Sequence, residues 1–215
     1  MTDPAASAHP AASAGPAASA DPAASAGSAP TVASWPQAEV PAAVRRQIAL
    51  LERAAWPDAV SAELSHDEAL RPLCLALLDG DAVVAALAVL SKDLVHAGER
   101  YEASGLSAVV TDPGRRRRGY GSRLVEAALA LLEESGTDVG LLTCDREIET
   151  FYARAGWTAL PGAVLVGGVP ADPLPSDSLD KTVMAAFLSE RARRNAAAFR
   201  RARIALYPGT IDRLW

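Results

Sequence analysis

The sequence predicts an α+β (α/β) domain with a mixed, mostly antiparallel sheet flanked by helices, and three stretches predict it. Asp79-Gly80-Asp81 stands between two apolar runs, Leu73–Leu78 and Ala82–Leu90, the strongest short-range signal for an antiparallel hairpin. From Gly105 the chain passes through the β-branched Val109-Val110-Thr111 and the turn residues Asp112-Pro113-Gly114. A helix pattern follows, with Leu124, Ala127, Ala128, Leu131 and Leu132 on one face. A second apolar strand, Val139–Thr143, precedes another helix, Glu147–Ala155, ending at Gly156-Trp157.

The elements divide the chain into a tail and one domain. Residues 3–26 are four copies of a hexapeptide: DPAASA, HPAASA, GPAASA, DPAASA. A proline in every copy blocks a continuous helix, and Ala and Ser offer little to bury, so residues 1–34 read as a disordered tail, with His9 no metal ligand. Residues 35–215 are then a single domain, long enough to bury a core without staples. Its first helix starts near Pro41, with Val44, Ile48, Leu51 and Ala55 on one face, and stops at Trp56-Pro57-Asp58. The acidic segment 58–71 holds Glu63, His66, Asp67 and Glu68, with Ser65 as a candidate helix cap. After the hairpin, Asp93–Val95 and Tyr101–Thr111 continue a meander around Gly98. Leu160–Val169 and Lys181–Leu188 read as later strands separated by a Pro/Asp/Ser loop, and Glu190–Arg203 has helical composition. The final IALYPGTIDRLW is apolar enough to dock on the domain.

The stretch between Val109-Val110-Thr111 and the helix after it carries the chemistry. Arg116, Arg117, Arg118, Gly119, Tyr120, Gly121 and Ser122 put two glycines among basic residues at the mouth of a helix. A helix N-terminus leaves its first N–H groups unpaired and carries partial positive charge, so it is an anion cradle with phosphate as the expected guest. A P-loop would need Gly-Lys-Ser/Thr and the dinucleotide fingerprint a third glycine; neither is present. Arg116-x-x-Gly119-x-Gly121 after Val109-Val110-Thr111 resembles the acetyl-CoA signature of the GNAT superfamily of N-acetyltransferases. About thirty residues on, Phe151-Tyr152-Ala153-Arg154-Ala155-Gly156-Trp157 resembles that superfamily's second motif. The similarity spans roughly residues 70–160.

The resemblance implies the GNAT fold, a sheet splayed between its two central strands to hold acetyl-CoA as cosubstrate, without a metal. It implies that Val109, Val110 and Thr111 align the pantetheine and that residues 116–122 hold the pyrophosphate. Tyr152 would protonate the departing thiolate as a general acid. A weaker resemblance points to aminoglycoside 2'-N-acetyltransferases, through Thr182-Val183 preceded by acids and a C-terminal tryptophan. It implies substrate contacts from Ser107, Thr143, Asp180, Asp212 and Trp215, and an aminoglycoside or smaller aminocyclitol antibiotic as acceptor. Together with the acids of segment 58–68, Glu99 and Glu102, the acids Asp180 and Asp212 and the C-terminal carboxylate suggest an anionic acceptor pocket suited to a polycation. That subfamily has a glutamate where Ser107 stands here, so the proton acceptor is open: Glu102 is the nearest carboxylate, His96 lies beyond it, and solvent is a third option. A peptide or protein amine, and a non-catalytic acyl-CoA-binding module, are the competing functions.

Composition excludes other classes. A net charge of −5 argues against a nucleic-acid binder, the Arg115–Arg118 run notwithstanding. Neither a membrane-spanning run nor a secretion signal is legible, and two cysteines, Cys74 and Cys144, make no disulfide framework, so the expected compartment is the cytoplasm. Cys144 has no partner histidine at an informative spacing and reads as a core residue. Homodimers are common among similar enzymes, but no stretch of this sequence marks an interface.

Overall fold

The computed structural model describes residues 29–57 and 65–215. The hexapeptide repeats and Glu63 lie outside them. A seven-stranded sheet has the order β1-β2-β3-β4-β5-β9-β6, and a smaller one the order β10-β7-β8. Strands β1 (Thr31–Pro36), β2 (Leu73–Asp79), β3 (Ala82–His96) and β4 (Glu99–Thr111) form an antiparallel meander. Helix α1 (Ala42–Ala55) lies between β1 and β2. Helix α2 (Tyr120–Glu134) then crosses over to β5 (Val139–Cys144), which runs parallel to β4. Helix α3 (Glu149–Arg154), the two-residue β6 (Thr158–Ala159), β7 (Val164–Val169), β8 (Asp172–Pro175), β9 (Thr182–Phe187), α4 (Glu190–Arg194) and β10 (Arg203–Ala205) complete the chain.

Strand alternation sends the core to both faces of the large sheet. On one face Leu87 and Val89 of β3 pack with Leu106, with Leu124, Val125, Ala128 and Leu132 of α2, and with Tyr152 and Trp157. On the other, Ala88, Leu90 and Leu94 pack with Leu165, Phe199, Ile204, Leu206 and Trp215. Helix α1 shares that second face further along: Val44, Ile48, Leu51 and Ala55 sit on Ala76, Val83, Ala86 and Val110, the stripe its periodicity predicts.

Several elements differ from the sequence expectation. The domain starts four residues before 35, because β1 pairs along its whole length with β2, from Thr31 opposite Leu78 to Pro36 opposite Leu73. β3 runs unbroken through Ser91 and Lys92, since Ser91 and Lys92 pair with Ser104 and Ala103 of β4. The Pro/Asp/Ser loop contains β8, an edge strand where Pro173 and Pro175 need no ladder N–H. Glu190–Arg203 is helical only to Arg194. Beyond it the buried Phe199 lies edge-on to Tyr101, centroids 5.3 Å apart, and the chain tightens to a 3-10 turn. Asp67, not Ser65, caps the turn at Glu68–Leu70, accepting from the Ala69 N–H at 2.9 Å.

The C-terminal segment does dock. Lys92 donates to the carbonyls of Leu206 and Tyr207 at 2.8 and 2.7 Å, and Gly168 N–H donates to Arg213 O at 2.7 Å. Trp215 then enters between β4 and β5. Its indole N–H donates to Leu141 O at 2.9 Å, and a Cβ on Gly105 would lie 1.9 Å from that nitrogen. Only a residue without a side chain fits at 105. Gly105→Ala is therefore expected to expel the indole and destabilise the fold by about 1–3 kcal/mol, measured as a lower melting temperature with red-shifted tryptophan emission.

Candidate active site

The turn and helix mouth expected to cradle an anion form at residues 112–122. Asp112 accepts from the Gly114 N–H at 2.9 Å and closes the turn after β4, and Arg115 is pinned by Asp79 and Asp112. Arg116, Arg117 and Arg118 are exposed and pair with no acid among the described residues. Gly119 caps α2 in the left-handed region at φ +79°, a conformation glycine adopts without strain. The first backbone donor of α2 to find a partner is Arg123, to Gly119 O at 3.0 Å. The N–H groups of residues 116–122 donate to no described protein acceptor, so the helix mouth keeps a run of backbone donors beside three exposed guanidiniums. Gly121 keeps this mouth close to β4: a Cβ there would stand 2.9 Å from Thr111 Oγ1 and 3.4 Å from the Phe151 ring.

Beside the cradle the sheet opens. β4 and β5 pair only at Ala103–Val139 and Ser104–Gly140, although β4 continues to Thr111 and β5 to Cys144. Past that point the strands do not pair. Trp215 fills the gap at Gly105 and Leu141, and beyond that wedge the edges of Leu106–Thr111 and Leu142–Cys144 leave a slot that an extended amide chain can enter as an added strand. A bulge shapes the β4 side: Ala88 pairs with Ser107 and Ala86 with Val110, so β4 uses one residue more than β3. Ala108 sits there at φ +50°, a left-handed conformation costing a non-glycine residue about 1 kcal/mol.

Tyr152 projects from α3 into the core beside Cys144 and Trp157, near the C-terminal end of β5. Burial above all, then Cys144 and Asp145, raises its pKa well above the usual phenol value. The phenol therefore holds its proton at neutral pH. Burial also pushes the Cys144 thiol up to about 11, with Glu149 and Asp145 adding to the shift, which suits a core residue and not a nucleophile. Trp157 packs under Gly140, where a Cβ would lie 2.9 Å from its ring.

A cavity of about 230 Å³ lies under α1 on the opposite face. From the sheet it takes Cys74 of β2 and Leu87 and Ala88 of β3, and Ala88 pairs in turn with Ser107 of β4, the residue before the bulge. Glu52 points into it from the buried stripe of α1, only 9 % exposed and without a hydrogen bond or ion pair to any described residue. Burial raises the Glu52 carboxyl to about 7, against a smaller lowering by His66. His66, also lining the cavity, places Nδ1 2.6 Å from Asp212 Oδ1, while Asp212 Oδ2 accepts from the Asp67 N–H at 3.0 Å. An acid that orients a histidine through Nδ1 leaves Nε2 free to face the chamber.

Residues 42–160 match the family model described as Acetyltransferase (GNAT) domain. The chain belongs to the GNAT acetyltransferase family. Solved structures agree on its fold. An acyl-CoA N-acyltransferase from Pseudomonas aeruginosa superposes with a TM-score of 0.53 at 18 % identity, over 73 % of this chain and 99 % of that one. An aminoglycoside 6'-N-acetyltransferase from Enterococcus faecium gives 0.51 at 16 % identity, over 75 % and 98 %. An aminoglycoside 6'-N-acetyltransferase solved with coenzyme A gives 0.53 at 16 %, again over 75 % and 98 %. At these identities the likeness concerns the fold. No curated protein matches the sequence.

This GNAT acetyltransferase gathers some of the sequence-predicted residues and separates others. Arg116–Ser122 lie at the cradle, Val109–Thr111 form the β4 edge between bulge and cradle, and Thr143 lies on the facing β5 edge. Ser107 borders the cavity floor through its pairing with Ala88. The acids do not converge. Asp180 bonds Arg146 at 2.9 Å with both side chains exposed, Asp212 is bound to His66, and Glu102 is ion-paired with Arg71. Glu102 is not among the cavity's lining residues, and five strand residues, about 17 Å, separate it from Ser107. His96 turns to Ala198 O at 2.9 Å. Trp215 is a buried wedge whose indole is committed to Leu141. Sequence reasoning missed Glu52, although a signal existed: four residues after Ile48 and three before Ala55, it is a charge on the apolar face of α1.

Proposed function

We propose that this acetyltransferase moves the acetyl group of acetyl-CoA to a primary amine of a small polar acceptor. The observation that carries the proposal is the juxtaposition of the unpaired N–H run at residues 116–122 with the open β4–β5 slot. Together they fit a diphosphate joined to an extended amide chain, which is the shape of coenzyme A. Arg116, Arg117, Arg118 and the backbone of residues 119–122 would hold the diphosphate, and the edge of Val109–Thr111 would align the pantetheine. Acetyl-CoA supplies an activated carbonyl whose thiol leaves as the amide forms. Amide donors fixed around the Ala108 bulge would stabilise charge on that carbonyl oxygen. Tyr152, kept protonated by burial, would give its proton to the leaving sulfur.

The aminoglycoside 2'-amine is a finer reading supported by the C-terminal resemblance alone. The separate pairing of Asp180 and Asp212 gives a polycation no common anionic wall, so the coarser small-amine acceptor stands ahead of it. A protein acceptor would need an extended groove, whereas the cavity under α1 measures about 230 Å³. Free Cys74 and Cys144 suit the reducing cytoplasm, and among the described residues no helix is long and apolar enough to cross a membrane. The test is thiol release from acetyl-CoA, followed with a chromogenic disulfide against a panel of amines. Amine-dependent release is expected; acetyl-CoA binding without release on any amine would favour a non-catalytic module.

A further inference from the structure

The cavity under α1 holds a combination of charges that the acetyl-transfer reading alone does not require. At its closed end is the buried Glu52 carboxyl; at its mouth are the exposed Arg45 and Arg46. Arg45 is partly committed, donating to the carbonyls of Gln37, Ala38 and Val40 at 3.1, 3.5 and 3.4 Å. Arg46 pairs with no acid among the described residues. Val40, Ile48 and Leu87 supply apolar wall between the two ends. A carboxylate buried on an otherwise apolar helix face costs stability unless a ligand's charge meets it, which marks the position as functional.

We propose that this cavity is the acceptor site, that it takes a small primary amine carrying an anionic group a few bonds from the nitrogen, and that Glu52 accepts the ammonium proton. The inference rests on the acetyl-transfer reading and names the acceptor class for it. The cavity's lining reaches Ala88, one strand spacing, about 5 Å, from its partner Ser107 at the edge of the β4 bulge. At about 230 Å³ the chamber falls below the ~300–1,000 Å³ typical of drug-sized ligands, which suits an amino acid or aminoalkyl phosphate and not a multi-ring antibiotic.

In the step, Glu52 takes one proton from R–NH₃⁺ and passes it to solvent. The freed lone pair forms the C–N bond to the thioester carbonyl carbon as the C–S bond breaks, and the bonding pair leaves on sulfur. Tyr152 protonates the sulfur, and the second proton lost from nitrogen restores Tyr152 through water. R–NH₃⁺ and acetyl-CoA thus become an N-acetyl amide, coenzyme A thiol and a proton. The groups facing Glu52 are His66, with Asp212 behind it, Cys74 from β2, and Arg45 from its own helix. With the Glu52 carboxyl raised to about 7, the rate on this route climbs as pH rises through 7.

Thiol release is to be measured with β-alanine, phosphoethanolamine, ethanolamine and kanamycin, on wild type, Glu52→Gln, Arg46→Ala and His66→Gln. Expected are turnover favouring the two anionic amines, a loss of about 10²-fold or more in kcat/KM for Glu52→Gln with the limb near pH 7 gone, and an increase of about tenfold in KM for Arg46→Ala with phosphoethanolamine and not with ethanolamine. A second readout does not need turnover. A carboxyl whose pKa rises on folding weakens the fold progressively between its unfolded value, 4.5, and about 7, and fully above that. Glu52→Gln should therefore melt higher than wild type at pH 8.5 and close to the same temperature at about pH 4, below both values. Preference for kanamycin or ethanolamine, a limb that survives in Glu52→Gln, or one lost only in His66→Gln would overturn the proposal. Turnover of no amine on the panel would overturn it too, and a calorimetric acetyl-CoA titration then separates the two ideas: binding retained sinks the acceptor assignment alone, binding absent sinks both.

Discussion

Tyr152→Phe is expected to lower kcat by about 10²–10⁴-fold while leaving acetyl-CoA affinity within about twofold. The ring sits in the core with Cys144 and Trp157 and meets Phe151 edge-on at a centroid distance of 5.0 Å, contacts that phenylalanine keeps. What the substitution removes is the hydroxyl, whose proton burial holds in place. A departing thiolate then has only water to protonate it. Single-turnover kinetics would locate the loss in the chemical step. A drop in affinity matching the drop in rate would instead mean that Tyr152 packs the cofactor and transfers no proton.

Gly121→Val is expected to weaken acetyl-CoA binding by about 10–100-fold, with a smaller effect on melting temperature. Its Cβ would meet Thr111 Oγ1 at 2.9 Å and the Phe151 ring at 3.4 Å, so the helix mouth must move off the end of β4. The amide run at residues 116–122 would then lose its alignment with the β4–β5 slot. Gly119→Ala is a useful contrast. Nothing lies within 4 Å of a Cβ there, so its cost is the left-handed backbone at φ +79°, roughly 1–2 kcal/mol, and any loss of affinity should follow local strain and not blocked space.

The half of the site built from one continuous stretch was legible in the sequence. Strand, turn, arginines, glycines and helix follow each other from Val109 to Leu132, and each carries its own local signal. The hairpin at Gly80 and the α1 stripe were readable for the same reason. The proposed acceptor half was legible only as the segment 58–68, without its partners. His66 and Asp212 meet across 146 residues, and no local pattern announces that pairing. Asp212, expected to face substrate, instead fixes His66, and Trp215 became a wedge because Gly105 leaves room for its ring. β1 stayed hidden because its half-exposed residues follow a low-complexity tract and need the ladder of β2 to become a strand. The helical composition after Glu190 was overridden by the burial of Phe199.

That a helix mouth grips a diphosphate and so lays a thioester along the open strand edge can be examined with two ligands on the wild-type protein. Isothermal titration should give single-site binding for coenzyme A and binding at least about 100-fold weaker for pantetheine, which lacks the nucleotide and its diphosphate. Equal affinity for the two would mean that residues 116–122 are a solvated basic turn and that the cofactor is held elsewhere.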